Sequence, residues 1–265
     1  MSSKLCFTKM QGLGNDYLYV YGAVPKDVES LCVRLCDRHF GVGADGMIFI
    51  GGSSTADFSM RIFNADGSEA DMCGNGIRCV GKYVFDRGLT QKTELTVETR
   101  AGIRTLSLTV GDGGRVNAAA VDMGRGTLLD GALLLPMGTG MAVAVGNAHV
   151  VYFTKEVGDV PLSLWGPMIE HDDRFPNGVN AEFVEILSST RLRMRVWERG
   201  SGVTLACGTG ACAAAFAAVC RGFCRADRPI EVILDGGSLF VTVEADGDIR
   251  MEGPAETVFD GEVAL

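Results

Sequence analysis

Alternation of apolar and polar residues with a period of two recurs along the chain and predicts short strands. FSMRIFN (residues 58–64) alternates in this way, and RLRMRVWE (residues 191–198) does so more strongly, with Leu192, Met194 and Val196 on one face. ELTVET, TLSLTV, IEVIL and LFVTVEA are further β-prone runs separated by glycine turns. Two segments break the alternation. After Cys73 and after Cys207 come about twelve residues that fit a helix, each ended by a glycine, Gly88 or Gly222, where a left-handed residue is expected. The regular strand–helix alternation of a doubly wound parallel sheet is missing. Many strands with one prominent helix per half predict a mixed α/β (α+β) fold in which a sheet wraps a central helix.

The two halves repeat one another. At an offset of 134 positions, MRIF (residues 60–63) meets MRVW (residues 194–197). The same offset matches Cys73 with Cys207, Gly74 with Gly208, Gly76 with Gly210, Arg87 with Arg221 and Gly88 with Gly222. Near the start of each half GNDYLYV meets GNAHVVYF, here 132 positions apart. Agreement in order, spacing and residue type across three segments argues for two copies of one module facing each other. The expected modules are residues 1–114 and 115–254, with 255–265 packing back onto the first.

Composition narrows the class. The chain has 265 residues, 47% hydrophobic and 22% charged, as an ordinary globular protein does. Its formal net charge of −9 comes without a lysine- or arginine-rich run, which argues against nucleic acid and against an anionic membrane surface as partners. MSSKLCFTKM has no leader-like apolar block, so a reduced, cytoplasmic setting is expected for the nine cysteines. Two uncharged runs, Gly131 to Phe153 and Gly200 to Cys220, lack the large aliphatics of a spanning helix; the first also carries Pro136. Cys6, Cys32, Cys36, Cys79, Cys212, Cys220 and Cys224 read as small buried hydrophobes. With no Cys-x-x-Cys and only three histidines, no metal site is expected.

Cys73 and Cys207 read differently. A helix N-terminus presents unpaired N–H groups and about half a positive charge, which favours a thiolate. Flanking glycines let those N–H groups approach a carboxylate. Two such sites facing each other would place a thiol on each side of a bound carboxylic acid. Inverting a stereocentre needs one group to remove a proton from one face and another to deliver one to the opposite face. A racemase or epimerase without metal or pyridoxal cofactor follows. The competing class is a non-catalytic thiol protein, such as a redox sensor that joins Cys73 to Cys207.

KMQGLGND, FGVGADG, NADGSEADMCGNGIRC and ERGSGVTLACGTGACA together resemble the diaminopimelate epimerase family, over nearly the whole chain. The resemblance implies two pseudo-symmetric modules, each a curled sheet around a central helix, with the active site in the cleft between them. It implies cofactor-independent interconversion of LL- and meso-diaminopimelate, in lysine and cell-wall precursor synthesis. By the same resemblance Cys73 and Cys207 are the acid/base pair, and Gly74, Asn75, Gly208 and Thr209 hold the reacting carboxylate. Asn15, Asn64, Asn147 and Asn180 bind substrate. Glu198 and Arg199 contact it as well, the arginine at the distal carboxylate, and His149 and Glu198 tune the thiols. Gln11 stands where the family commonly has histidine, Ala148 replaces a proline and Val203 a glutamate. At a position where some relatives touch substrate with glutamine, this chain offers Gly46. Rival substrates on the same scaffold are histidine, proline or hydroxyproline; proline-type members read CGHG at the first thiol. A homodimer is compatible with the sequence and not read from it.

Overall fold

The computed structural model describes residues 4–129, 133–135 and 138–265. Gly131, Pro136 and the first three residues, on which the readings above also drew, lie outside it. The chain divides into two compact units, one of residues up to Val121 with Gly253–Leu265, the other Asp122–Glu252. No helix among the described residues is long and apolar enough to cross a membrane.

The first unit opens with β1 (Lys4–Gly12) and β2 (Asn15–Tyr21), then α1 (Val28–Cys36), β3 (Gly46–Gly51), β4 (Phe58–Asn64) and β5 (Glu69–Ala70). The buried helix α2 (Gly74–Asp86) follows, and β6 (Glu94–Thr99), β7 (Gly102–Val110) and β8 (Val116–Arg125) return. Pairing is antiparallel except for β2 with β3 and β4 with β6. Inward-facing residues of β1, β2 and β7 pack on α2, whose Ile77, Cys79, Val80 and Val84 are buried. The outward side chains Leu18, Val20, Met47, Phe49 and Phe63 pack under Leu31, Cys32, Leu35 and Cys36 of α1. Covered on both faces, β3 reads as the unbroken apolar run MIFI.

The second unit contains β9 (Thr127–Leu128), β10 (Leu133–Leu135), β11 (Gly138–Val145), β12 (Asn147–Thr154) and α3 (Leu162–Glu170). It continues through β13 (Asn180–Ser188), β14 (Arg191–Glu198), β15 (Gly202–Val203), α4 (Gly208–Cys220), β16 (Pro229–Leu234), β17 (Gly237–Val243) and β18 (Asp248–Pro254). Its parallel pairs, β12 with β13 and β14 with β16, fall at the same places in the order as those of the first unit. α4 packs against β11, β12, β13, β14, β16 and β17. Enclosure on all sides explains its composition: Ala211 to Ala215 are fully buried, and small residues let the strands close around the helix. β19 (Glu256–Ala264) belongs to the first unit, where it pairs antiparallel with β1.

Both long helices start and stop as their sequences predict. Cys73 and Cys207 are the N-caps, each sulfur accepting the N–H of the third residue on, at 3.3 Å. At the far ends, Gly88 (φ 71°) and Gly222 (φ 73°) donate to Phe85 and Val219, and the next residues donate to Val84 and Ala218. Both ends are therefore Schellman motifs.

The sequence expectations need one addition and one correction. Each unit adds to its prominent central helix a second, shorter one, α1 or α3, that covers the outer face of its sheet. These helices are nine residues long, and α3 contains Gly166 and Pro167, which weaken a helical reading. Cys6 and Cys220 are exposed rather than buried. Cys6 points outward between Leu5 and Phe7 on β1, and Cys220 ends α4 where the helix leaves the sheet. Cys224 is buried, as expected.

Candidate active site

In the first unit a two-residue loop joins β1 to β2, with Leu13 (φ 57°) and Gly14 (φ 85°) both left-handed and Gly12 paired with Asn15. This is a type I′ hairpin turn, unusual for having leucine at its first position. Gln11 steadies it: its Oε1 accepts the Gly14 N–H at 2.8 Å and its Nε2 donates to Glu256. The turn delivers Asn15 to the first thiol. Cys73 Sγ donates to Asn15 Oδ1 at 3.3 Å, while Asn15 Nδ2 donates to Asp45 Oδ2 at 2.8 Å. Tyr17, next inward on β2, has its hydroxyl pushed up by burial first, then by the charge of Cys73 and a hydrogen bond with it. The Tyr19 hydroxyl donates to the Gly76 carbonyl in the first turn of α2.

Asp16 and Asp45 hold this loop through Arg38, whose Nη2 lies 2.7 Å from a carboxylate oxygen of each; Lys9 Nζ is 2.9 Å from Asp16. Burial alone would raise the Asp16 carboxyl, but hydrogen bonds and charge from Arg38 and Lys9 outweigh it and hold it below the ordinary value. A depressed carboxyl stabilises the fold above its unfolded pKa, and that contribution is lost as pH falls through the folded value. Asp16→Asn should therefore cost about 2 kcal/mol at pH 7, with the gap from the parent narrowing below about pH 4. Urea unfolding at both pH values measures it, and an equal gap at both would reject the assignment.

Among the other first-unit residues, Asn64 ends β4 and donates to Ser68 Oγ at 3.0 Å across the β4–β5 turn. Gly74 and Asn75 are the first residues of α2, and Arg78, fully buried, donates to the Gly74 and Pro254 carbonyls. Gly46 lies between Tyr17 on β2 and Asn64 on β4. The Tyr17 ring fills the room a side chain at Gly46 would use, its Cε1 being 2.9 Å from where a Cβ would stand.

The second thiol is more deeply placed and more acidic in its company. Cys207 Sγ lies 3.5 Å from Thr209 Oγ1 and 4.0 Å from Asn180 Nδ2. Glu198 is hydrogen-bonded to it and also accepts from the Thr204 hydroxyl. Burial pushes the Cys207 thiol well above its ordinary value, with the charges of Glu198 and Glu182 adding, against hydrogen bonds from Thr209 and Gly210. Burial likewise pushes up the Glu198 carboxyl, against hydrogen bonds from Thr204 and Cys207. His149 is fully buried, with Nδ1 2.7 Å from Glu182 Oε1 and Nε2 2.9 Å from Asn147 Oδ1. Its direct partners are thus an acid and an amide rather than a sulfur. Asn180 Oδ1 accepts the Arg199 N–H at 2.8 Å, and the exposed Arg199 guanidinium donates to the Asn177 carbonyl. Gly208 opens α4. Ala148 joins the apolar cluster under α3, and Val203 is exposed on β15.

Within the first unit the structure gathers Cys73, Asn15, Gly74 and Asn75, and within the second Cys207, Asn180, Glu198, Thr209 and Gly208, with Asn147 joined through His149. Two neighbours escaped the sequence reading, Tyr17 and Glu182. An acid inside the apolar strand NAEFVEIL was a signal for Glu182. No group of three or more metal-ligating side chains occurs among the described residues.

The sequence profile of the family described as diaminopimelate epimerase matches residues 7–129 and 141–258. A protein of Bacteroides thetaiotaomicron named diaminopimelate epimerase is 49% identical over 272 positions, covering 99% of each chain. One of Desulfovibrio desulfuricans with the same name is 47% identical over 288 positions, again covering 99% of each. Among solved structures, a Bacillus anthracis phenazine biosynthesis protein of the PhzF family superposes with a TM-score of 0.76 at 19% identity. It covers 99% of this chain and 100% of that one, and at this identity the likeness is one of fold.

Proposed function

The chain belongs to the diaminopimelate epimerase family, and from that premise we propose that Cys73 and Cys207 interconvert LL- and meso-diaminopimelate by a two-base mechanism. One sulfur, as thiolate, takes the α-proton from one face of the carbon and becomes a thiol. The other gives its proton to the opposite face and becomes the thiolate. No redox change occurs, and the sulfurs end with exchanged roles, so the reverse direction uses the same groups. The reading requires both sulfurs to reach one α-carbon from its two faces.

The negative charge left on the α-carbon spreads into the carboxylate, which the N–H groups opening α2 and α4 stabilise at Gly74, Asn75, Gly208 and Thr209. Asn64, Asn147, Asn180 and Glu198 hold ammonium and carboxylate groups, and Arg199 takes the distal carboxylate. Asn15 orients the Cys73 thiol as well as facing substrate, while His149 and Glu198 set the proton affinity of the second thiol's surroundings. No step calls for a cofactor. The assigned place is lysine and cell-wall precursor synthesis in the cytoplasm, with no nucleic-acid or membrane partner, and a homodimer is compatible with it.

The observation that carries this reading is the duplicated cap: in both copies a cysteine N-caps the enclosed central helix and accepts the N–H three residues on. Surface or packing cysteines have no reason to repeat that geometry. Its acidic and imidazole neighbours in the second copy fit proton transfer better than disulfide chemistry. Histidine, proline and hydroxyproline remain rival substrates only through the shared scaffold, and CGNG at Cys73 departs from the proline-type motif. Proton NMR of LL-diaminopimelate in D₂O with the reduced protein should show deuterium entering the α-position and meso product forming. Folded, reduced protein that leaves the α-proton untouched would defeat the assignment.

A further inference from the structure

We propose that Glu182 is a positioning residue for the reaction: set against the first turn of α4, it keeps the proton on Cys207 and so makes the two thiols unequal. The inference rests on the two-thiol reading above. The strand register of the repeat is as regular as its sequence. Tyr17 pairs with Gly46 and Tyr19 with Ile48; 132 and 134 positions on, His149 pairs with Asn180 and Val151 with Glu182. Glu182 therefore occupies on β13 the place that Ile48 occupies on β3.

Both side chains press on the same point of their helix. A Cβ built on Gly76 would lie 2.7 Å from Ile48 Cδ1, and one built on Gly210 would lie 2.7 Å from Glu182 Oε1. Gly76 and Gly210 are the residues whose N–H groups cap Cys73 and Cys207. The built Cβ on Gly210 also lies 3.2 Å from Cys207 Sγ. One thiol thus has an isoleucine methyl behind its cap and the other a carboxylate.

The acid is fixed there: Glu182 Oε1 lies 2.7 Å from His149 Nδ1, and His149 Nε2 lies 2.9 Å from Asn147 Oδ1. Glu182 Oε2 is buried and has no hydrogen-bond partner among the described residues. A buried acceptor left without a donor is costly, and its retention asks for a functional reason. The groups facing the sulfur are Glu198 from β14, Glu182 from β13 with His149 of β12 behind it, Asn180, and Thr209 on the helix's own first turn. Negative charge at Glu182 disfavours a second negative charge on Cys207. In the first unit Ile48 can exert no such effect. An acid/base pair that must begin with one proton between two sulfurs is thereby given a resting arrangement to which this difference between its two copies contributes, together with Glu198, whose counterpart in the first unit is Asn64.

The test is alkylation by iodoacetamide across pH, followed separately at Cys73 and Cys207 by peptide mass spectrometry, in the parent, Glu182→Gln and Glu182→Ile. The midpoint of rate against pH reports ionisation, whereas loosening of the unit would raise the rate without moving the midpoint. In the parent the Cys207 midpoint should lie above that of Cys73. Removing the charge should lower it and speed Cys207 alkylation at pH 8 by about tenfold, with Cys73 unchanged. Equal midpoints in the parent overturn the proposal even if neither variant folds, and so does an unmoved Cys207 midpoint in a folded variant. The diaminopimelate assay is run alongside: turnover with an unmoved midpoint rejects only the role of Glu182, while a moved midpoint without parent turnover rejects the substrate reading.

Discussion

Cys73→Ala and Cys207→Ala should each lower kcat/KM for epimerisation by about a thousandfold or more, because one proton carrier cannot serve both faces of a carbon. The loss should be as large in the direction from meso substrate as from LL substrate, since the two sulfurs exchange roles when the reaction reverses. Each variant should also lose the helix cap, a cost of about 1 kcal/mol, small enough for the fold to survive. Circular dichroism and thermal unfolding separate that loss from the catalytic one. The corresponding serine variants keep an oxygen able to cap, yet a hydroxyl is too weak an acid to exchange the proton. Serine should therefore recover stability without recovering inversion. In D₂O a single-alanine variant is expected to admit deuterium, at most, without inverting the centre. Inversion within tenfold of the parent rate by any of the four variants would end the two-base reading.

The second large effect is one of stability. Alanine at Gly46 would place a Cβ 2.2 Å from the Phe63 carbonyl oxygen and 3.1 Å from Asn64 Cα, with the Tyr17 ring at 2.9 Å. The nearest obstacle is backbone, so no rotamer change relieves it; β3 and β4 must move apart. Gly46→Ala is expected to destabilise by about 3 kcal/mol, which for a chain of this size lowers Tm by roughly 6–12 °C. Of the displaced strands, β4 carries Asn64 and β3 pairs with β2 at Tyr17, so the first thiol's surroundings should shift as well and KM should rise. Differential scanning calorimetry together with steady-state kinetics tests both. A Tm within 2 °C of the parent's, on the order of 1 kcal/mol or less, would show that the strand pair yields more easily than its geometry indicates.

Gly46 also shows how the two copies diverge. Its counterpart on β13 is Asn180, which carries a side chain; the corresponding partner on β12 is His149 where β2 has Tyr17. Large ring over glycine in one unit, smaller ring over asparagine in the other: the volume is shared out differently while the register is kept. Such exchanges are invisible until the strands are paired, because they couple residues about thirty positions apart. Gln11, standing where histidine is common, proves to brace the Leu13–Gly14 turn.

Much of the architecture was legible in the chain. The strands at residues 58–64, 94–99 and 191–198 have the bounds that alternation indicates, and the helices after Cys73 and Cys207 stop at the glycines expected of them. These features are local: alternation, a cap and a left-handed stop are each settled within a few residues, by steric limits and by hydrogen bonds close in sequence. The duplication, and with it the correspondence of Cys73 to Cys207, is likewise a property of sequence spacing. α1 and α3 were missed because nine-residue helices owe their stability to the sheet they cover rather than to their own pattern. Cys6 and Cys220 were misplaced because hydrophobicity says what a side chain prefers, not which face of β1 or which end of α4 it receives. The surroundings of Cys207 are the furthest from local rules. His149, Glu182 and Glu198 lie on β12, β13 and β14, and parallel register between the first two is what carries an acid in one strand to an imidazole in the next. A few residues of helix start are enough to make a cysteine a cap; its charged neighbours arrive only when the sheet closes around the helix.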